Sequence, residues 1–506
     1  MLPSRLAAFS ALLAALLAAR PALALTDSAA QEAVAFSAEQ LAAEAARSPA
    51  TQSPNFTKAD GTWAEVANTD VFGWTQGFFP GANWLVWDLT HDAAAKTRAV
   101  TWTRSLEVQK TNTQTHDLGF KLFLSFGRAF QATGDPYYKN VLLTAAASLA
   151  TRYDRTIGAI ICCDWNPHWH RPTVVDTMMN LELLLWASQN GGQAAWKDMA
   201  VNHALKTLAD TVRADGSTFH VVDYLSDGSV AFRGTSQGYS DGSTWTRGQA
   251  WAIYGFTTVY RYTRDARMLA AAQKVTEYYL SRLGSDPIPN WDFDAPSLHK
   301  DSSAGAAVAS ALYELSGYVG TADAQRYRAA ATRMLDALAS PAYLAKGTSS
   351  QSTLRWAVGN LPGNEQIDVG LIYGDYYFLE ALARRPADPA PADGGVAADA
   401  GAAADAGDAD SGAGAIADAG TAGDAGAPAD AGAPADAGDA DAGAAPNAGG
   451  TADAGNAPPA AVPGAPPAAG SRSAGCWSGG GPSSMLLFVL GACALALRRR
   501  RSSSRL

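Results

Sequence analysis

Two aspartates carry the strongest chemical signal in this chain. Asp117 lies in His116-Asp117-Leu118-Gly119-Phe120, and Asp176 lies in Asp176-Thr177-Met178-Met179-Asn180-Leu181. Each stands where a polar connection gives way to an apolar, helix-like run. A carboxyl group at such a place can donate a proton to a bound substrate and then take one back from water. A plainer reading stands beside this one. Aspartate at a helix start often only caps the helix, and Thr173-x-x-Asp176 has the form of a weak capping box.

Further polar and aromatic residues gather at similar openings. Trp74-Thr75-Gln76-Gly77-Phe78-Phe79 begins one apolar run, and Trp245-Thr246-Arg247-Gly248-Gln249-Ala250-Trp251 begins another. His220 and Gln237-Gly238-Tyr239-Ser240-Asp241 lie just upstream of the second. Arg247 is suited to a carboxylate. Trp74, Trp245 and Trp251 offer flat faces to a sugar ring. On residue type alone, His220 fits the surface or core equally well, Arg247 fits a structural acid, and Trp251 fits the core.

The elements that must position these residues form one repeated pattern. An apolar, aromatic-rich helix ends in a short polar turn, and an Ala-rich amphipathic helix follows. The turns fall at Thr90-His91-Asp92, Thr133-Gly134-Asp135, Gln189-Asn190-Gly191, Thr263-Arg264-Asp265 and Gly320-Thr321-Ala322. Helices of the first kind are expected near 74–90, 117–133, 173–189, 245–263, 301–318 and 367–384. Those of the second kind are expected near 30–47, 93–110, 135–153, 194–213, 266–283 and 322–340. Helices apolar nearly all round are buried. Six buried and six amphipathic helices in alternation point to an all-α fold, an (α/α)6 barrel with an inner and an outer ring. An α-solenoid of helical pairs is the alternative. The absence of a fixed repeat period favours the barrel. So do the long connections 154–172, 214–244 and 284–300, which all lead into inner helices. They therefore gather at one end, where a site is expected.

The ends of the chain read as addresses. Of the 506 residues, 1–24 have the charged start, apolar stretch and Ala22-Leu23-Ala24 site of a signal peptide. Residues 25–386 are the barrel. Residues 387–475 are almost entirely Ala, Gly, Asp and Pro, without aromatics, and are expected to be a disordered linker. Residues 476–506 hold Cys476, a short apolar helix from Met485 to Leu497, and four consecutive arginines. The order of Gly-Cys, apolar helix and Arg cluster resembles the C-terminal sorting tag of myxobacterial surface proteins. It implies a membrane-held chain until the tag is processed, and a mature protein attached to the outer surface or secreted. The net charge of −10 comes from the acidic tail, so nothing favours a nucleic-acid partner. Four cysteines in so long a chain exclude a disulfide scaffold.

Taken in order, the segments at 116–120, 176–181, 237–241 and 245–251 resemble the unsaturated glucuronyl hydrolases, glycoside hydrolase family 88. Asp301-Ser302-Ser303-Ala304 and Gly374-Asp375-Tyr376-Tyr377-Phe378-Leu379-Glu380 resemble it too. The resemblance spans about 35–385. It implies hydrolysis of oligosaccharides that end in a 4,5-unsaturated uronic acid, the product of a polysaccharide lyase, with chondroitin- or hyaluronan-type disaccharides as the default substrate. It makes Asp176 the general acid/base and Asp117 the second carboxylate. It sets His116, His220, Gln237 and Arg247 around the sugar with Trp74, Trp245 and Trp251. No metal or cofactor is implied. A protonated Asp176 requires a raised pKa, expected from an apolar throat and a neighbouring carboxylate. The related hydrolases of unsaturated rhamnogalacturonan fragments are the nearest alternative, and a non-catalytic surface glycan-binding protein is another.

Cys162-Cys163-Asp164-Trp165-Asn166-Pro167-His168-Trp169-His170 is the most individual stretch. Its spacing matches no zinc pattern, and adjacent cysteines share one tetrahedral ion poorly. Trp165, Trp169 and His168 are expected to meet sugar there and to set substrate choice.

Overall fold

The computed structural model describes residues 25–163 and 168–387. The segments expected to be a signal peptide, a linker and a sorting tag lie outside the described residues, as do Asp164, Trp165, Asn166 and Pro167.

Twelve α-helices make up the described fold. The outer ring is α1 (Asp27–Arg47), α3 (Ala93–Ser105), α5 (Pro136–Ala150), α7 (Ala195–Asp210), α9 (Ala266–Arg282) and α11 (Thr321–Leu338). The inner ring is α2 (Phe78–Thr90), α4 (Arg128–Thr133), α6 (Leu181–Gln189), α8 (Thr246–Thr263), α10 (Ser302–Leu315) and α12 (Ile372–Arg384). Polar turns start the outer helices as expected. Asp92, Asp135 and Asp265 each accept a backbone N–H of the helix that follows.

Closure follows from burial. Inner helices are covered on nearly every side, as in α8, where each residue from Thr246 to Val259 is buried. Each inner helix packs against the next, residues 119–127 making the contact of the second with the third, and α12 returns to α2. That last contact separates a closed barrel from a solenoid, whose ends stay apart.

The openings of the inner helices depart from the expectation. The second opens with a π-helical stretch, Gly119–Gly127, and the third with a 3-10 stretch, Val175–Asn180. Such irregular turns free backbone groups that need partners. Asn180 supplies one, its Oδ1 accepting the Phe120 N–H at 2.8 Å. Inner helices also approach too closely for side chains at some points. A Cβ on Gly77 would lie 2.1 Å from the Phe120 carbonyl oxygen and 2.4 Å from that of Lys121. The sixth inner helix starts at Ile372 rather than near 367, because Glu365–Val369 pairs with Ala357–Asn360 as a hairpin.

Short strands cross the long connections. The strands β1 (Gln52–Thr57) and β2 (Trp63–Ala67) form one hairpin, and β3 (Tyr153–Asp154) with β4 (Ala159–Ile160) forms another. A three-stranded antiparallel sheet joins β5 (Arg171–Val174), β6 (Val221–Tyr224) and β7 (Val230–Gly234). The last hairpin is β8 (Ala357–Asn360) with β9 (Glu365–Val369). Below the mouth, buried charge ties the inner helices together. Glu380 meets Arg128 at 2.7 Å and Arg384 at 3.4 Å, and accepts from Tyr254 at 2.9 Å and Ser310 at 2.7 Å. Tyr376 adds a longer bond at 3.4 Å, so both oxygens of this buried carboxylate are paired.

Candidate active site

Strand pairing brings Asp176 and His220 together. Val174 of β5 stands opposite Val221 of β6, and the Val175 N–H donates to the His220 carbonyl at 3.0 Å. Asp176 therefore leaves the end of one strand where His220 enters the next. Asp176 Oδ2 and His220 Nε2 are 3.4 Å apart.

The backbone selects the His220 tautomer. Nδ1 faces the N–H groups of Ser236 and Gln237, each at 3.2 Å. Those groups only donate, so Nδ1 accepts and the ring proton of the neutral imidazole sits on Nε2, toward Asp176. Trp245 holds the ring from one side, with centroids 4.5 Å apart and planes 31° off parallel.

Asp176 does not cap a helix. The 3-10 stretch has Val174 at its cap position with no side-chain bond, and Oδ2 of Asp176 has no hydrogen-bond partner among the described residues. This oxygen is buried and turned toward His220, and an unpartnered buried carboxylate oxygen is a natural place for a proton. The side chain keeps 21% of its surface exposed.

The expected rise in its pKa is not found. Burial pushes the carboxyl up, but His220 beside it, with His116 and Arg247 farther off, outweighs burial and holds it below the usual carboxylate range. Sequence reasoning counted the apolar throat and a second carboxylate. It had no means to place three basic groups around Asp176.

Asp117 stands on the adjacent opening. Thr115 Oγ1 donates to its Oδ2 at 2.6 Å, and His116 Nε2 lies 3.4 Å from its Oδ1. The other ring nitrogen of His116 meets Thr177 Oγ1 at 2.9 Å, so this imidazole bridges the Asp117 and Asp176 segments. Burial pushes its pKa down, against the pull of both carboxylates.

Gln237 and Arg247 form the wall behind. The Arg247 guanidinium is only 2% exposed. It donates to Asp301 Oδ2 at 3.0 Å, Gly359 O at 2.6 Å, Gln237 Oε1 at 3.2 Å and Val358 O. It also lies over the rings of Trp245 and Tyr373. Its fork is engaged by protein groups, so the structure places it as the clamp of the wall rather than as a free receptor for a carboxylate. Trp251 is likewise moved from the expected sugar platform to the core. It is fully buried between Phe120 and Tyr377. Trp74 and Trp245 are buried at the mouth, Trp74 packing on Phe78, Phe120 and Tyr373.

Five residues of this region have roles that the sequence did not reveal. Tyr373 stacks near Trp74 with centroids 4.7 Å apart, and no spacing rule marks it. Asp301 was seen only as part of a matching segment, yet it holds Arg247 and caps α10 through Ser303 N and Ala304 N. Lys121 is a fully buried amine. It donates to Val71 O at 2.7 Å and Gln109 Oε1 at 3.1 Å, and burial pushes it down to about 8. An apolar helix offers no sequence sign that its one lysine turns inward. Lastly, Cys162 and Cys163 are joined by a disulfide. Counting cysteines for a scaffold or a metal passed over a bond between neighbours. Of the loop beyond them, His168 and His170 are exposed, and Trp169 packs against the cysteine pair.

Comparison with known proteins agrees with the barrel fold. Residues 50–285 match Glycosyl Hydrolase Family 88. An unsaturated glucuronyl hydrolase from Formosa agariphila is 44% identical over 321 residues, which cover 62% of this chain and 80% of that protein. The crystal structure of an unsaturated glucuronyl hydrolase specific for heparin superposes with a TM-score of 0.68 at 37% identity, covering 71% of this chain and 97% of the other. A variant of the Streptococcus agalactiae enzyme, complexed with dGlcA-GalNAc6S, has a TM-score of 0.63 at 28% identity, covering 72% and 93%. The chain belongs to glycoside hydrolase family 88, and it is a glycoside hydrolase.

Proposed function

We propose that this glycoside hydrolase releases 4,5-unsaturated uronic acid from the non-reducing end of lyase-generated glycosaminoglycan disaccharides, those of chondroitin or hyaluronan type first. The observation that carries the reading is the partly exposed Asp176 side chain, whose buried, unpartnered Oδ2 is held 3.4 Å from His220 Nε2. Relatives named for unsaturated glucuronyl and chondroitin disaccharide substrates support the substrate class.

The reaction is hydration of a vinyl ether. Asp176 gives its proton to C4, and the positive charge forms at C5 and the ring oxygen. Water adds to C5 and returns a proton to Asp176. The C5 hemiketal opens to a ketone, and the hemiacetal left at C1 releases the partner sugar. No nucleophile pair at retaining-glycosidase spacing is needed.

This sequence requires a protonated Asp176, which its free-state surroundings disfavour. The substrate supplies the correction. Its own carboxylate brings a like charge and displaces water, and both raise a neighbouring carboxyl. Asp117, tied to Thr115 and His116, is assigned to orient the sugar and the attacking water. Trp74, Trp245, Gln237 and His116 shape the pocket around it.

The terminal segments of the sequence support an exported enzyme, carried by the signal peptide, held at the membrane by the C-terminal tag until processing, and then displayed on the outer surface or shed.

The test is loss of the conjugated double bond's ultraviolet absorbance with unsaturated disaccharides from chondroitin, hyaluronan, heparin and rhamnogalacturonan lyases. Turnover of a glucuronyl disaccharide is the expected result. Turnover of the rhamnogalacturonan product alone, or of none, refutes the reading.

A further inference from the structure

The bond between Cys162 and Cys163 is the feature that neither fold nor reaction explains. Both residues are buried, at 1% and 5% exposure. Their immediate apolar neighbours are Val174, Val221 and Trp169. Val174 is two residues before Asp176, and Val221 directly follows His220. The cysteine pair therefore underlies the two strand positions that set the Asp176–His220 distance. It is joined to the same sheet by the backbone as well, since the Cys162 N–H donates to the Pro172 carbonyl at 2.9 Å.

A bond between adjacent residues does little for global stability. Disulfides act mainly by closing long loops in the unfolded chain, and this one closes only its own small ring. What it fixes is local: the direction of the chain at 162–163 and the shape of the apolar seat under β5 and β6. Two unbonded thiols need more room than two bonded sulfurs. In a close-packed seat, Val174 and Val221 must give way to provide it.

The far side of this seat is held independently. Buried Asp223 accepts the backbone N–H of His170 at 2.9 Å and of Arg171 at 2.8 Å, and meets the His170 ring at 2.9 Å. With β5 fixed at its start by Asp223, displacement at the cysteines is taken up toward Val174, on the side of Asp176.

We propose that the Cys162–Cys163 disulfide positions Asp176 against His220, so that turnover depends on the redox state of this pair. Reduction takes two electrons and two protons from a small dithiol, which leaves as its own cyclic disulfide, and yields two thiols at 162 and 163. Oxidation reverses it. The cysteines are positioning residues and touch no substrate.

The inference rests on the proposed turnover, and the experiment separates the two. The full chain is assayed with unsaturated chondroitin disaccharide before reduction, after dithiothreitol treatment and after reoxidation. Peptide mass spectrometry follows the 162–163 pair. The expected result is a peptide resistant to alkylation until reduced, and a fall in kcat on the order of tenfold or more on reduction. Misplacement of a catalytic group by about 1 Å costs up to about a hundredfold. KM stays within about twofold, the melting temperature changes little, and reoxidation restores the rate.

The double variant C162S/C163S is expected to be slow and indifferent to dithiol, which excludes an effect through Cys476 or Cys493. Where that variant does not fold, the reversible change in the natural chain decides. Free thiols at 162 and 163 in the untreated protein, or a kcat unmoved by reduction, overturn the inference. Absence of turnover in the oxidised protein overturns the proposed function instead.

Discussion

Replacing Arg247 by methionine tests whether this residue builds the wall of the site or reads the substrate. The guanidinium is buried and holds four acceptors: Asp301 Oδ2, Gly359 O, Gln237 Oε1 and Val358 O. Methionine keeps most of the volume and removes every donor. Asp301, itself fully buried, is left among the described residues with only Ser303 and Ala304 as partners of its side chain. Breaking a buried pair by removing one member costs about 3–5 kcal/mol. Unfolding entropy of roughly 2.1 cal/mol/K per residue, over roughly 360 folded residues, turns that into a melting temperature lower by about 4–7 °C. Calorimetry or circular dichroism measures the shift, and KM and kcat are taken well below the transition. The hairpin β8–β9 also loses its anchor, so kcat/KM is expected to fall. A variant that melts within about 1 °C of the natural chain while KM rises more than tenfold would refute the reasoning. Arg247 would then be a substrate ligand whose protein contacts contribute little.

Three further outcomes follow from the geometry. D176N should lower kcat by about 10²–10⁴-fold while retaining sugar binding, measured by tryptophan fluorescence, because the amide keeps the shape and loses the exchangeable proton. G77A should unfold at lower temperature, since the added carbon meets two carbonyl oxygens of the neighbouring π-helical stretch and not a movable side chain. A melting point equal to the natural chain's would show that the inner helices can part there. Asp375 is a buried carboxyl raised to about 7 by burial, despite accepting the N–H groups of Thr353 and Leu354. The folded state therefore keeps a proton that the unfolded state has released. Its contribution to stability is full below the ordinary value of 3.8 and is lost as pH rises through about 7. The stability advantage of the natural chain over D375N should shrink between pH 4 and pH 8 in chemical denaturation, and a constant difference would count against the assignment.

The fold was legible because its signals are local and repeated. Runs apolar on every side, such as Leu181-Glu182-Leu183-Leu184-Leu185-Trp186, can only be buried, and Asp92, Asp135 and Asp265 mark the turns into amphipathic partners. Alternation of the two kinds then leaves few arrangements, and the fit of α12 against α2 selects the closed one. Both aspartates were legible as chemistry by the same logic, since each opens an inner helix.

What the sequence could not supply were relations between residues far apart in the chain. The distance from Asp176 to His220 depends on the register of β5 on β6, strands too short to announce themselves. The proton on His220 Nε2 is set by backbone groups at 236 and 237. Arg247 could have faced sugar or protein, and the choice was made by Asp301 and by carbonyls more than a hundred residues away. The direction of the Asp176 pKa turned on the same point. Residue type states which charges a chain carries, and electrostatics needs their separations, which only tertiary packing fixes.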